Sequence, residues 1–311
     1  MTAESSFIRR FFAYLNERFP PLGNVLLILT YFSSNQFLAT ALTTPGRPMH
    51  YDRWSLLGML MLVCFFFHIR VFDEHKDYED DCRHYPQRIL QRGLVTLRQL
   101  KIAAAIAIAT QIVIAAARGP QAFTAWAIAF GFTLLMLREF FVPEFLKRHF
   151  LLYAVSHMLV MPLLALLVFS FVTRRWPWEA PPWFCLYAFV GFFVTFNWEV
   201  SRKIRAPEDE IEGVDSYTKI FGLFGAAYVV LAIRAIDTGL VAAVGHHLGV
   251  SAWFYAALLA LYLVCLAGFF QYRFRPTRRH AKMMEIYASA YMIVFDFLVA
   301  VELARKYGVH R

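Results

Sequence analysis

The chain has 311 residues, 59% hydrophobic and 17% charged, with a mean hydropathy of +0.49 and a formal charge of +9. That apolar share exceeds that of an ordinary soluble domain and identifies an integral membrane protein. Its basic residues are spread over short segments between apolar stretches, which excludes nucleic acid as a partner and leaves membrane orientation, anionic lipid and an anionic substrate as their uses.

The first 21 residues carry Arg9, Arg10 and Arg18 among Phe7, Phe11, Phe12 and Tyr14, with no small-residue cleavage site. This predicts a retained amphipathic helix on the membrane surface, not a removed signal peptide. Nine apolar stretches follow, at about 22–42, 53–72, 101–118, 121–138, 150–172, 182–199, 217–236, 250–271 and 284–304. Each is long enough to cross a bilayer as a helix. The expected architecture is a single polytopic domain over 1–311, all-α, with nine transmembrane helices in a bundle around a central apolar cavity. With the N-terminus inside, most of the 31 Lys and Arg fall on the inner side, as the positive-inside rule requires of cytoplasmic connections. A bacterial inner membrane is the expected location.

The outer connections are bland: 43–51 with Pro45, Gly46 and Pro48; 118–121; and 174–182, where Trp176 and Trp178 mark the headgroup level beside Trp183. His246-His247 reads as part of an outer loop. Cys64, Cys82, Cys185 and Cys265 show no paired spacing, so neither a disulfide nor a zinc site is expected. Asn35 and Gln36, Ser156 and His157, and Asp296 lie within spans and should face the bundle; Asn35 either reaches the inner site or bonds another helix.

The chemistry concentrates in two inner connections, 68–100 and 199–219. In the first, Asp73, Asp77 and Asp81 recur every four residues, on one helix face, with Glu74 beside them. Stacked like charges need compensation. Either Lys76, Arg70 and Arg83 offset them as a solvated cap, or Mg²⁺ bridges them to phosphate oxygens of an anionic substrate. The second connection carries Asn197, Glu199, Glu208, Asp209, Glu210 and Glu212 among Arg202, Lys203 and Arg205. Two acidic clusters facing one cavity suit a diphosphate held through metal, with cations neutralising the charge that develops as it departs.

Asp73-Glu74-x-x-Asp77-x-x-x-Asp81 resembles the first aspartate-rich motif of the UbiA superfamily of intramembrane prenyltransferases, Asn-Asp-x-x-Asp-x-x-x-Asp. Tyr85-Pro86-x-Arg88 and Arg92-Gly93-Leu94-Val95-Thr96 are similar to the stretch that trails that motif. Lys147-Arg148 resembles the family's pair before the fifth span, and Gly213-Val214-Asp215-Ser216-Tyr217 to Gly222 resembles the close of the second motif. The resemblance implies that Asp73, Glu74, Asp77 and Asp81 bind Mg²⁺ and diphosphate, that Arg88, Arg92, Lys147 and Arg148 meet phosphate, and that Glu208 and Asp209 serve in the second motif. One departure stands out: Arg205 occupies the place of the second motif's first aspartate. Either Glu199 or Asp209 holds a second metal in altered geometry, or Arg202, Lys203 and Arg205 bind phosphate directly.

The expected activity is therefore Mg²⁺-assisted ionisation of a prenyl diphosphate and transfer of the prenyl group to a lipophilic or aromatic acceptor. The alternative is a terpene cyclase of the same superfamily, in which the substrate's own double bonds capture the cation. With 32 Phe, 15 Tyr and 7 Trp, the spans offer aromatic faces for a prenyl chain and its allylic cation. A cation or anion transporter predicts ionisable residues through the membrane depth, and here they gather on one face.

Overall fold

The computed structural model of the chain describes residues 6–309. Residues 1–5 of the predicted surface segment lie outside it. Ser6 caps α1 (Phe7–Arg18) through a hydrogen bond from the Arg9 amide. One face of this helix packs on the protein, with Tyr14 fully buried and Phe11 edge-on to Phe67, while Ile8 and Phe12 remain exposed. Pro21 opens α2 (Pro21–Thr43), where a missing N–H costs nothing. A reciprocal Asp52–Ser55 capping box opens α3 (Arg53–Lys76), and α4 (Tyr78–His84) follows after a break at Asp77. Thr96 and Gln99 form a second capping box at the start of α5 (Leu97–Arg118), and Gly119-Pro120 turns the chain into α6 (Pro120–Leu137).

A short α7 (Pro143–Arg148) leads into α8 (Phe150–Met158) and α9 (Val160–Thr173), two halves of one span broken at Leu159. Pro162 causes the break, because it supplies no N–H to the carbonyl one turn earlier. Then come α10 (Pro182–Arg202), α11 (Tyr217–Leu248), α12 (Ala252–Phe274) and α13 (Arg278–Tyr307). Among the described residues, nine helices, counting α8 and α9 as one, are long and apolar enough to cross a membrane, and all nine match the predicted stretches. The protein is a multi-pass integral membrane protein.

Neighbouring spans pack in chain order, and α13 closes the ring on α2, with further contacts of α2 on α9 and α10 across the interior. Phe32, Leu38, Phe169, Phe184 and Phe295 fill much of that interior. The ends of the bundle are fixed by bonds between distant segments. At one end Arg18 reaches Glu74, and Gly213 of the second connection lies against His84 of the first. At the other, the Met49 amide bonds the Gly308 carbonyl and Trp183 stacks on His247 at 4.4 Å.

Three boundaries depart from the sequence reading. The second span runs on to Lys76, so Asp73 and Glu74 sit on the membrane helix and not beyond it. The ninth begins at Arg278. The seventh continues to Leu248, which puts His246 and His247 on its last turn instead of in a loop. Arg234 and Asp237 lie within this helix, paired at 2.8 Å and both buried.

Candidate active site

Helix α3 delivers the first acidic residues to the bundle's end, and the turn at Asp77 preserves their spacing. The Asp77 amide bonds the Asp73 carbonyl and the Asp81 amide bonds the Asp77 carbonyl, so three carboxylates stack over successive turns. Their neighbours then divide them. Glu74, one residue on from Asp73 and therefore about 100° around the helix, is fully buried and turned towards α1. Its Oε1 receives Arg18 at 2.7 Å and Arg70 at 2.5 Å. Asp81 receives Arg88 at 2.6 Å and Arg18 at 3.5 Å, with the Arg88 guanidinium stacked on Tyr85 at 3.8 Å. Asp73 has Lys76 at 3.3 Å. Asp77 has no ion-pair partner among the described residues, and its carboxyl is pushed up to about 6. Crowding by surrounding chain is the main cause, against the opposing Lys76, with Asp73 and Asp81 adding to it; part of the side-chain surface still faces solvent.

The offsets expected of a solvated cap thus exist, since Arg70 pairs with Glu74, Lys76 with Asp73 and Arg83 with Asp80 at 3.8 Å. They leave Asp77 without an ion pair among the described residues, while Asp73 shares Lys76. No group of three or more His, Cys, Asp or Glu side chains forms a closed metal cage among the described residues. Magnesium takes one or two carboxylates and completes its octahedron with water and phosphate oxygens, so Asp73 and Asp77 are the side chains here that could hold it.

Opposite stands the end of α10. Buried Glu199 accepts Arg202 at 2.6 Å and Lys203 at 2.7 Å, and Lys203 lies 4.5 Å from the centre of the Phe150 ring. Arg202 feels the charges of Asp73 and Arg70, and His157 those of Lys76, Asp73 and Glu199, so the two clusters share one electrostatic neighbourhood. The acids further along face elsewhere. Asp209 pairs with Arg278, Glu208 accepts the Arg278 amide at 3.0 Å, and both thereby hold the start of α13. Arg205 donates to the Asp209 carbonyl at 3.1 Å, and Glu210 accepts from Ser216 and Thr218.

Lys147 and Arg148 are exposed on the last turn of α7, just ahead of α8, and have no carboxylate partner among the described residues. Arg92 lies on the same connection as Arg88, in the turn ahead of Gly93. Asn35 is elsewhere. It bonds the Tyr31 carbonyl at 2.9 Å, and its neighbour Gln36 bonds the His50 carbonyl in the opposite connection, which places Asn35 in the far half of the bundle.

Two further groups belong to the site. Arg18 is the first, a cation from α1 that bridges Glu74 and Asp81. The second is an aromatic floor. Tyr153 stacks on His157 at 4.1 Å beneath Lys76, whose Nζ is 5.2 Å from the Tyr153 ring, and Phe150, Tyr217 and Phe221 continue the surface with centroids 4.9 and 6.3 Å apart. The His157 Nδ1 meets the Tyr153 carbonyl at 2.8 Å. A carbonyl only accepts, so Nδ1 carries the proton and the buried Nε2, which has no partner, presents a lone pair. The spacing of His157 from Tyr153, one helical turn, was the only trace of this in the sequence.

The arrangement brings carboxylates and cations together above an aromatic surface, where an anion could sit. A model of the UbiA prenyltransferase family matches residues 26–289. Among solved structures, a UbiA homologue from Aeropyrum pernix K1 in its apo form aligns with a TM-score of 0.68 at 16% identity, over 89% of this chain and 98% of that one. A structure described as digeranylgeranylglyceryl phosphate synthase in membranes aligns at 0.62 and 16% identity over 96% and 99%. A UbiA homologue from Archaeoglobus fulgidus bound to GPP and Mg²⁺ aligns at 0.50 and 17% identity over 93% and 99%. No curated protein matches the chain.

Proposed function

The chain belongs to the UbiA prenyltransferase family, and from that premise we propose that it ionises a prenyl diphosphate at the end of the bundle formed by α3, α8 and α10 and passes the prenyl group to a lipophilic or aromatic acceptor. The observation that carries this reading is the placement of unpaired Asp77, with Asp73, in one electrostatic neighbourhood with the Arg202–Lys203 cations over an aromatic floor. The GPP and Mg²⁺ of the Archaeoglobus homologue support it.

Bound Mg²⁺ would supply charge neutralisation at the phosphate oxygens, held by Asp73 and Asp77. Lys76, Arg202 and Lys203 then draw the diphosphate to one side, where the negative charge that builds during C–O cleavage meets fixed cations. Lys147 and Arg148, unpaired at the rim, attract the incoming diphosphate. Below, Tyr153 and Phe150 present ring faces to the allylic cation and hold the prenyl chain away from water, with buried Tyr217 packed behind Phe150. Arg18, Glu74, Arg70, Asp81 and Arg88 act as a frame that fixes the angle of the first connection. The charged connections face the cytoplasm in this reading, because they carry most of the Lys and Arg.

A cyclase is the second reading, favoured by one observation. Glu208 and Asp209 are engaged by Arg278 and so are withdrawn from activating an acceptor. Incubation of purified protein with Mg²⁺ and a panel of prenyl diphosphates, following diphosphate release and hexane-extractable products with Asp77→Ala as control, decides between them. Release that requires an added acceptor supports the transferase, and a cyclic hydrocarbon or alcohol from diphosphate alone supports the cyclase. Absence of metal-dependent release with every substrate overturns both.

A further inference from the structure

At the far end of the bundle, a cavity of about 220 Å³ opens between α2, α3 and α9. It is too small and too polar for a prenyl chain; pockets that bury drug-sized ligands begin near ~300 Å³. Its wall on α2 is a polar stripe, Gln36, Thr40 and Thr44, rising one turn at a time over about 12 Å from the bundle interior to the rim. Gln36 is 5% exposed, its amide nitrogen bonds the His50 carbonyl, and its Oε1 is buried without a hydrogen-bond donor among the described residues. A buried carbonyl oxygen in that state is an acceptor waiting for a donor.

The rim is cationic. Arg118 is fixed, bonding the Phe171 and Val172 carbonyls at 2.5 and 3.0 Å and stacking 5.0 Å from the Trp54 ring. Arg47 and Arg175 line the same cavity and have no carboxylate partner among the described residues. Among the described residues, the one acid lining it is Asp52, which is occupied in capping α3 through Ser55. Burial works against its ionisation, but the Ser55 hydrogen bonds and the charges of His50 and Arg118 hold its carboxyl below the usual range. Three guanidinium groups against one committed carboxylate leave an excess of positive charge over a pocket with an unfilled acceptor at its base.

The geometry points to a binding site for a hydroxylated phosphate ester of the glycerophosphate type, with phosphate at Arg47 and Arg175 and a hydroxyl directed to Gln36. Arginine forks suit phosphate, and the polar α2 stripe suits the polyol. The Trp54 ring at the mouth and the position at the end of the spans suit the headgroup of an anionic phospholipid, while a free glycerol phosphate offers the same chemistry. This site is separated from the acidic cluster by the length of the spans and stands whether or not the proposed function does.

The test is calorimetric titration of the delipidated full chain in neutral detergent with glycerol 1-phosphate, inorganic phosphate, dihexanoyl phosphatidylglycerol and dihexanoyl phosphatidylcholine. Saturable binding of glycerol phosphate or phosphatidylglycerol, weakened at least tenfold in Arg47→Gln/Arg175→Gln with an unchanged melting temperature, is expected. Binding by both ligands assigns the site to the phosphate ester whatever its source; binding by phosphatidylglycerol alone assigns it to lipid. Gln36→Leu should remove the preference for glycerol phosphate over inorganic phosphate. Absence of saturable binding by either ester, equal affinity in the double variant, or equal binding of phosphatidylcholine overturns the assignment.

Discussion

Four acidic residues along one segment, three of them four apart, have divided roles, decided by which cations the fold brings to each. Asp77 is the one left without an ion pair, and its raised value sets a pH dependence. A proton competes with the cation below about 6, so Mg²⁺ affinity should rise roughly tenfold from pH 5 to pH 7 and then level off. Isothermal titration checks this, and Asp77→Asn should flatten the profile while lowering diphosphate release by at least about a hundredfold. The same shift acts in the opposite sense on folding: a carboxyl raised in the native state stabilises below its unfolded value, near 4, and that contribution is lost as pH rises through about 6. Glu74 should behave differently. With its side chain fully buried between Arg18 and Arg70, Glu74→Ala leaves Arg70 without its partner and Arg18 with Asp81 alone at 3.5 Å, and should cost on the order of 3 kcal/mol. A fall in melting temperature of the metal-free protein checks that, and an unchanged one would return Glu74 to the metal site. The regular spacing of the acids was legible in the sequence, but this division was not, because Arg18 lies 56 residues from Glu74.

At the scale of elements, two interruptions shape the site. The break between α8 and α9 at Leu159 sets the angle at which Tyr153 and His157 meet Lys76. Pro162→Ala restores the missing donor and should straighten the span, leaving the protein folded and lowering diphosphate release about tenfold; an unchanged rate would dissociate the kink from function. Gly222, inside α11, has φ +75° and ψ 165°, a region essentially confined to glycine. Gly222→Ala should therefore destabilise by about 1–3 kcal/mol, read as a lower midpoint in thermal unfolding, instead of stabilising as an alanine normally does within a helix. All nine spans were legible from hydropathy because each runs for some twenty residues. Their ends were less so: Arg234 and Asp237 neutralise each other one turn apart and sit inside the seventh span, which runs past them to Leu248.

For the molecule as a whole, the ring of spans brings the ends of α3 and α10 together although more than a hundred residues separate them. Hydropathy indicated that both charged connections share one side of the membrane, and the charges of Asp73 and Arg70 felt at Arg202 place their ends together. Which charges face the shared space was beyond the sequence, since Glu208 and Asp209 turn to Arg278 while Glu199, Arg202 and Lys203 turn inward. The central claim is that carboxylates from α3 and cations from α10 grip one diphosphate through Mg²⁺. Equilibrium binding of a non-ionising prenyl thiodiphosphate, with Mg²⁺ and with chelator, tests it most directly when compared across wild type, Asp73→Asn/Asp77→Asn and Arg202→Gln/Lys203→Gln. The account predicts Mg²⁺-dependent binding, with the dependence abolished in the aspartate pair and affinity lowered at least tenfold in the cation pair. Equal binding in chelator, or affinity indifferent to both pairs, would contradict it.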